Sequence, residues 1–202
     1  MSEILAPCGA MESLIAAVNA GADAVYLGEE YFSARKNADN FTAEQLCDAV
    51  RFCHYSGVKV YVTLNTLVFD REIPLLAKAI ENCAKADVDA FIVQDMGVAR
   101  LARQIVPELP LHASTQMTVN SPEGAIMAKE LGFTRVVLGR ELSLAQIKAI
   151  TESCDIETEL FVHGALCVCI SGQCYMSSVL GVRSGNRGLC AQPCRLDFTS
   201  GD

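Results

Sequence analysis

Four cysteines near the end of the chain, Cys167, Cys174, Cys190 and Cys194, are spaced C-x6-C-x15-C-x3-C. Glycines at 164, 172, 181, 185 and 188 punctuate the stretch, so its backbone can fold back and bring thiols together. Four soft thiolates suit an iron–sulfur cluster or a structural zinc ion. Zinc sites favour tight C-x2–4-C pairs, and only the second pair here is tight, so iron–sulfur is the first expectation and zinc the alternative. Cys169 lies inside the first spacing, as a bystander or a substitute ligand. Arg183, Arg187 and Arg195 share the stretch with no lysine; their guanidinium groups can offset thiolate charge or bind a phosphate bidentately.

The rest of the composition narrows the setting. The start, MSEILAPCGA, has no basic segment followed by an apolar one, so it is not read as a signal peptide and a cytoplasmic location is expected. Ten cysteines in a reducing compartment point to metal or redox chemistry rather than disulfides. Hydrophobic residues at 51% exclude a disordered chain. No apolar run approaches the ~18 residues of a membrane helix. The formal charge of −8 argues against generic adhesion to nucleic acid or anionic membrane, though a local basic site remains compatible with it.

The elements that would position these residues recur along the first 164 positions. Strand-like runs fall at Glu3–Pro7, Ala24–Gly28, Lys59–Leu64, Ala90–Gln94, Leu111–Ser114, Arg135–Gly139 and Glu157–Val162. Amphipathic stretches separate them: Met11–Ala20, Thr42–Tyr55, Glu72–Ala86, Gly97–Ile105, Ser121–Leu131 and Ser143–Ser153. Thr42 with Gln45 reads as a capping box, Ser121-Pro122 as an N-cap and first turn, and Ser143 as a further cap. Gly21, Gly57 and Gly132 stand where helices should stop. Strand then helix, repeated, predicts right-handed βαβ units and a parallel (β/α)8 TIM-type barrel, with a doubly wound sheet as the alternative.

About seven strands are visible before the cysteine-rich segment, so the barrel is expected to be incomplete, closed by further sequence or by a partner chain. Residues 1–164 form the barrel region and 165–202 the cysteine-rich segment of the same domain. Barrel chemistry sits at the carboxyl ends of strands. Those ends carry Cys8, Glu29, Asn65, Gln94, Asp95, the run His112–Gln116, Arg140, Glu141 and His163. Asp95 reads equally as a helix cap, Glu141 as a solvated charge, and His112 as a hydrogen-bonded core histidine.

Two stretches make the sequence recognisable. Glu159-Leu160-Phe161-Val162-His163-Gly164-Ala165-Leu166-Cys167, followed by Gly172-Gln173-Cys174-Tyr175-Met176-Ser177, resembles the signature of the U32 peptidase family. The resemblance extends over Ala22–Gly28, Gln94–Gly97 and His112–Gln116 and covers the amino-terminal half of a typical member. The stretch from Arg183 to Arg195 is similar to the branch that hydroxylates a cytidine of 23S ribosomal RNA. Sister branches hydroxylate a tRNA uridine or act in ubiquinone hydroxylation. The resemblance implies a 4Fe–4S cluster on Cys167, Cys174, Cys190 and Cys194. With RNA as the expected substrate, contact with it would fall to Arg183, Arg187 and Arg195, and the strand-end groups His112, Gln116, Arg140, Glu141 and His163 are the candidates for catalysis or substrate contact.

The family name carries a rival expectation, a collagenase-like peptidase. No G-x-S-x-G elbow or H-E-x-x-H helix is present, but His163 and Cys167 are close enough in sequence for a nucleophile pair. Cys167 would then be lost as a cluster ligand, so the two readings compete. A third is a non-catalytic iron–sulfur module working with a partner chain.

Overall fold

The computed structural model describes residues 2–34, 39–164 and 166–199. Ala165 and residues 200–202 of the expected cysteine-rich segment lie outside the described residues. Seven strands form one sheet: β1 (Leu5–Pro7), β2 (Ala24–Gly28), β3 (Lys59–Leu64), β4 (Ala90–Val93), β5 (Leu111–Ala113), β6 (Arg135–Val137) and β7 (Glu157–Glu159). Their order in the sheet is their order in the chain, and every pairing is parallel. A doubly wound sheet reverses direction at a switch point. This sheet has none, and it curls as an incomplete TIM barrel.

Six helices follow six strands: α1 (Met11–Asn19), α2 (Ala43–Tyr55), α3 (Ile73–Lys85), α4 (Met96–Ile105), α5 (Pro122–Glu130) and α6 (Leu144–Ser153). Their starts are set by local chemistry. The Thr42 hydroxyl accepts from the Gln45 N–H at 3.2 Å while Gln45 Oε1 accepts from the Thr42 N–H at 3.0 Å. Ser143 and Gln146 repeat the arrangement at 3.4 and 2.9 Å. Ser121 accepts from Gly124 N–H at 3.1 Å, with Pro122 in the first turn. Each such cap is worth about 1 kcal/mol.

The core lies between sheet and helices. Leu14, Leu46, Val50, Leu76, Ile80, Ala102 and Ile150 from the helices meet Val25, Leu27, Val60, Val62 and Phe91 from the strands. Alternate strand positions point the other way, where Ala24, Tyr61, Ala90 and Ile92 form a second, inner cluster. Both faces are thus covered, which explains the nearly continuous hydrophobic runs. A fully buried leucine here contributes about 2 kcal/mol.

The sequence reading placed several strand ends one to three residues too far, at Gln94, Ser114, Gly139 and Val162. At these points the chain leaves the ladder to present polar groups at the rim. The cysteine-rich segment, for which the sequence reading placed no regular element, contains a further short helix, α7 (Met176–Gly181). Among the described residues, no helix is long and apolar enough to cross a membrane.

Candidate active site

A cavity of about 210 Å³ opens at the carboxyl ends of the strands. All seven strands contribute to it, from Cys8 after β1 to Glu159 and Phe161 at and after β7. Its walls combine a larger apolar share, from Tyr26, Leu27, Ile92, Val137 and Phe161, with a ring of neutral polar groups. The Thr63 hydroxyl donates to the Leu27 carbonyl at 3.2 Å and lies 3.1 Å from Ser33 Oγ. Asn65 Oδ1 accepts from the Ala34 N–H at 2.8 Å, and its amide nitrogen reaches Ser114 Oγ at 3.5 Å. Ser114 Oγ also accepts from the Gln116 N–H at 3.2 Å, which turns Gln116 into the cavity wall. Arg140 closes one side, its guanidinium 5.3 Å from the Phe161 ring centre.

Below the cavity is a charged layer. Arg135 on β6 has a side chain only 10% exposed. It donates to Glu3 at 2.7 Å, to Glu157 at 2.8 Å and to Glu159 at 3.5 Å. Tyr61 donates its hydroxyl to Glu3 at 3.0 Å. Burial pushes the Glu3 carboxyl upward, but Arg135, Tyr61 and Lys59 outweigh it and hold it below the ordinary range. Burial raises the Glu159 pKa more than Arg135 lowers it. The network went unread in the sequence. Its signal was the alternation Glu157-Thr158-Glu159, which puts two carboxylates on one face of a strand next to the strand that carries Arg135.

His112 belongs to this lower layer. It is 4% exposed and packs edge-on to the Tyr61 ring, with centroids 4.8 Å apart. It does not line the cavity. Burial, with Arg135 nearby, drops its pKa to about 3, so the ring stays neutral. Nδ1 has no hydrogen-bond partner among the described residues, a departure from the hydrogen-bonded core histidine considered above.

The cysteine-rich segment is strapped across the rim. Glu141 is exposed, yet its oxygens accept from the Ser171 N–H and hydroxyl, both at 2.9 Å. Burial raises its pKa, but the Ser171 donors and Asn120 lower it further, and the net shift is downward. Thr118 donates to the Ser171 carbonyl at 2.9 Å, and Gln173 donates to Thr118 at 2.9 Å. Gly172 has φ +81°, and a Cβ there would collide with the Gln116 carbonyl. Farther on, Arg187 grips Glu72 with two bonds of 2.7 and 3.0 Å and the Leu67 carbonyl at 2.7 Å. Its guanidinium also lies 4.3 Å from the Phe69 ring centre. The Arg187 hydrogen bonds hold Glu72 down to about 2. Expected as an RNA contact, Arg187 is engaged in this strap; Glu72, placed in a helix by the sequence reading, stands on the turn before α3 to receive it.

The strap folds back on itself. Arg195 donates to the Leu166 carbonyl at 2.8 Å, which brings the turn holding Cys194 beside Cys167. Ser177 accepts from the Ala191 N–H at 3.0 Å. A Cβ on Gly185 would stand 3.7 Å from both the Cys174 carbonyl and Cys190 Cβ. All ten cysteines are free thiols. Arg140 Nη2 donates to Cys167 Sγ at 3.3 Å, so one guanidinium touches both cavity and cysteine segment. Among the described residues, no three His, Cys, Asp or Glu side chains are grouped to hold a single metal ion. By type, the four free thiols on this folded-back lobe are donors that an iron–sulfur cluster or a zinc ion takes, but they are not gathered into a ligand set here.

The remaining strand-end residues have other places. Asp95 caps α4 through the Gly97 N–H at 2.7 Å. Glu29 is buried outside the cavity and pushed up to about 7 by burial, against a hydrogen bond from Asn82. His163, Arg183 and Arg195 are exposed, and none of the three lines the cavity.

Residues 9–201 match the model of peptidase family U32. The chain belongs to that family. A 23S rRNA 5-hydroxycytidine C2501 synthase of Escherichia coli (strain K12) is 46% identical over 99% of this chain and 30% of its own length. The tRNA hydroxylation protein P1 of Bacillus subtilis (strain 168) is 39% identical over 97% of this chain and 46% of its own. This U32 chain therefore spans half or less of the length of those relatives. A solved U32 peptidase shares the fold, with a TM-score of 0.68 at 19% identity over 79% of this chain and 68% of that one.

Proposed function

We propose that this U32 chain supplies the base-modifying site of an RNA hydroxylase that works in the cytoplasm, with Cys167, Cys174, Cys190 and Cys194 holding a 4Fe–4S cluster beside the barrel mouth. The observation that carries the reading is Arg140, which lines the cavity and donates to Cys167 Sγ at 3.3 Å. The names of the rRNA and tRNA relatives support the substrate class. When bound, the cluster supplies one-electron chemistry at the cavity's edge. The chain's own residues do the rest. Gln116 and Arg140 orient the substrate group, Glu141 holds the cysteine segment on the rim, and Arg183 and Arg195 meet phosphates on an otherwise acidic body. His112, neutral in the layer below, supports the floor. Cys169, whose thiol lies 3.8 Å from the Gln173 carbonyl, is a bystander in this reading.

Anaerobic purification with iron and sulfide analysis tests the cofactor. The expected result is about four irons and four sulfides per chain, lost in Cys174→Ala. Zinc in place of iron overturns the cluster. Nucleoside analysis of RNA from cells with and without the active gene tests the substrate: a hydroxylated pyrimidine that disappears with the gene supports the reading. Proteolysis that survives iron chelation and stops on thiol alkylation supports the peptidase instead, with His163 and Cys167 as its pair.

A further inference from the structure

The geometry points to the barrel-mouth cavity as the seat of a single pyrimidine base swung out of its strand, with Glu159 reading the exocyclic amine. The inference rests on the RNA reading above and names what that site selects. Size is the first argument. At about 210 Å³ the cavity falls below the ~300–1,000 Å³ of sites for drug-sized molecules, so it suits one ring rather than a run of peptide.

Polarity is the second. Asn65, Ser114 and Gln116 offer both donors and acceptors at the wall, as a heterocycle's edge requires. Arg140 and Glu159 balance in charge, whereas a site for a small organic anion would carry a surplus of cations. Flat partners are the third argument. Tyr26 and Phe161 line the cavity, and the Arg140 guanidinium lies by the Phe161 ring, the kind of surface on which an unstacked base rests. Enzymes that modify a base take it out of the stack into such a pocket.

Glu159 decides between bases. Its side chain is 16% exposed, and Arg135 meets one oxygen, Oε2, at 3.5 Å. A carboxylate has about four acceptor sites, so capacity remains toward the cavity. It accepts from an amine, as Glu does from cytosine N4, and opposes the carbonyl that uracil presents there. Arg135, gripping Glu3 and Glu157 as well, is the positioning residue that aims it.

Saturation-transfer NMR on the purified protein with cytidine and uridine as probes tests this; the chain's lack of tryptophan makes an intrinsic fluorescence readout poor. Cytidine is expected to bind about tenfold more tightly, one good base contact, and Glu159→Gln should bring the two within about twofold. Gln116→Ala should weaken both equally. Equal binding by the unmutated protein, a ratio unmoved in a folded Glu159→Gln protein, no binding of either nucleoside, or preferential binding of malate each overturns the inference. If Glu159→Gln fails to fold, the ratio in the unmutated protein decides. RNA analysis separates the two levels. Hydroxylated RNA without cytidine preference sinks the base pocket alone. Cytidine preference without hydroxylated RNA sinks the hydroxylase reading.

Discussion

Glu29 and His112 show how burial alone sets a residue's chemistry. Both are under 5% exposed, and each has one polar atom without a hydrogen-bond partner among the described residues. Burial disfavours the charged form of both, and so shifts them in opposite directions: Glu29 up to about 7, His112 down to about 3. For Glu29 the folded pKa lies above the ordinary 4.5, so the fold is favoured by the protonated form. That stability is full below about 4.5 and lost as pH rises through about 7. Glu29→Gln imitates the neutral acid, so its urea midpoint should exceed the parent's at about pH 8 and match it near pH 4. His112 works the other way: its contribution is full above about 6.5 and lost as pH falls toward about 3. Both residues were legible as strand-end polar groups, and His112 also as a core histidine. The burial of Glu29 was not legible, because the side a residue faces at a strand end is fixed by pairing register rather than by its own type.

At the scale of elements, the parallel strands and capped helices were readable because barrel strands covered on both faces give apolar runs, and caps use short-range chemistry. The docking of the cysteine-rich segment was not readable. It depends on Glu141 meeting Ser171, 30 positions later, and on Glu72 meeting Arg187, 115 positions later. Gly172 packs against the Gln116 carbonyl, with no room for a Cβ. Gly172→Ala should strain the positive φ and strike the Gln116 carbonyl, lifting the strap while the sheet stays intact. Hydrogen exchange is the measurement. Amides of residues 171–191 should lose protection about tenfold or more, those of β2 to β4 should not, and iron content should fall. Uniform loss across the chain would mean that strap and barrel unfold as one.

For the whole molecule, the charged layer joins distant parts of the chain. Arg135 on β6 holds Glu3, ahead of β1, and Glu157 and Glu159 on β7, across the barrel interior. Arg135→Met would leave three carboxylates without their shared cation. Removing one partner of a buried ion group costs about 3–5 kcal/mol, and the partial exposure of Glu157 places the expected loss near about 3 kcal/mol. Urea unfolding should show the lower midpoint, and Glu3→Gln in the same background should recover part of it. A midpoint unchanged in Arg135→Met would reduce the layer to surface ion pairs.

The sequence by itself determined the alternation of strand and helix, the starts of α2, α5 and α6, the four-cysteine spacing and the family resemblance. Each is a local pattern or a motif carried by consecutive residues. The tertiary structure alone decided which strand-end groups share a cavity. It turned Glu159 and Arg140 inward, sank His112 one layer below, left His163 outside, and turned Arg187 into a clasp. These assignments depend on strand register and on side-chain pairs up to 132 positions apart. Their energies exist only once the sheet has curled and excluded water.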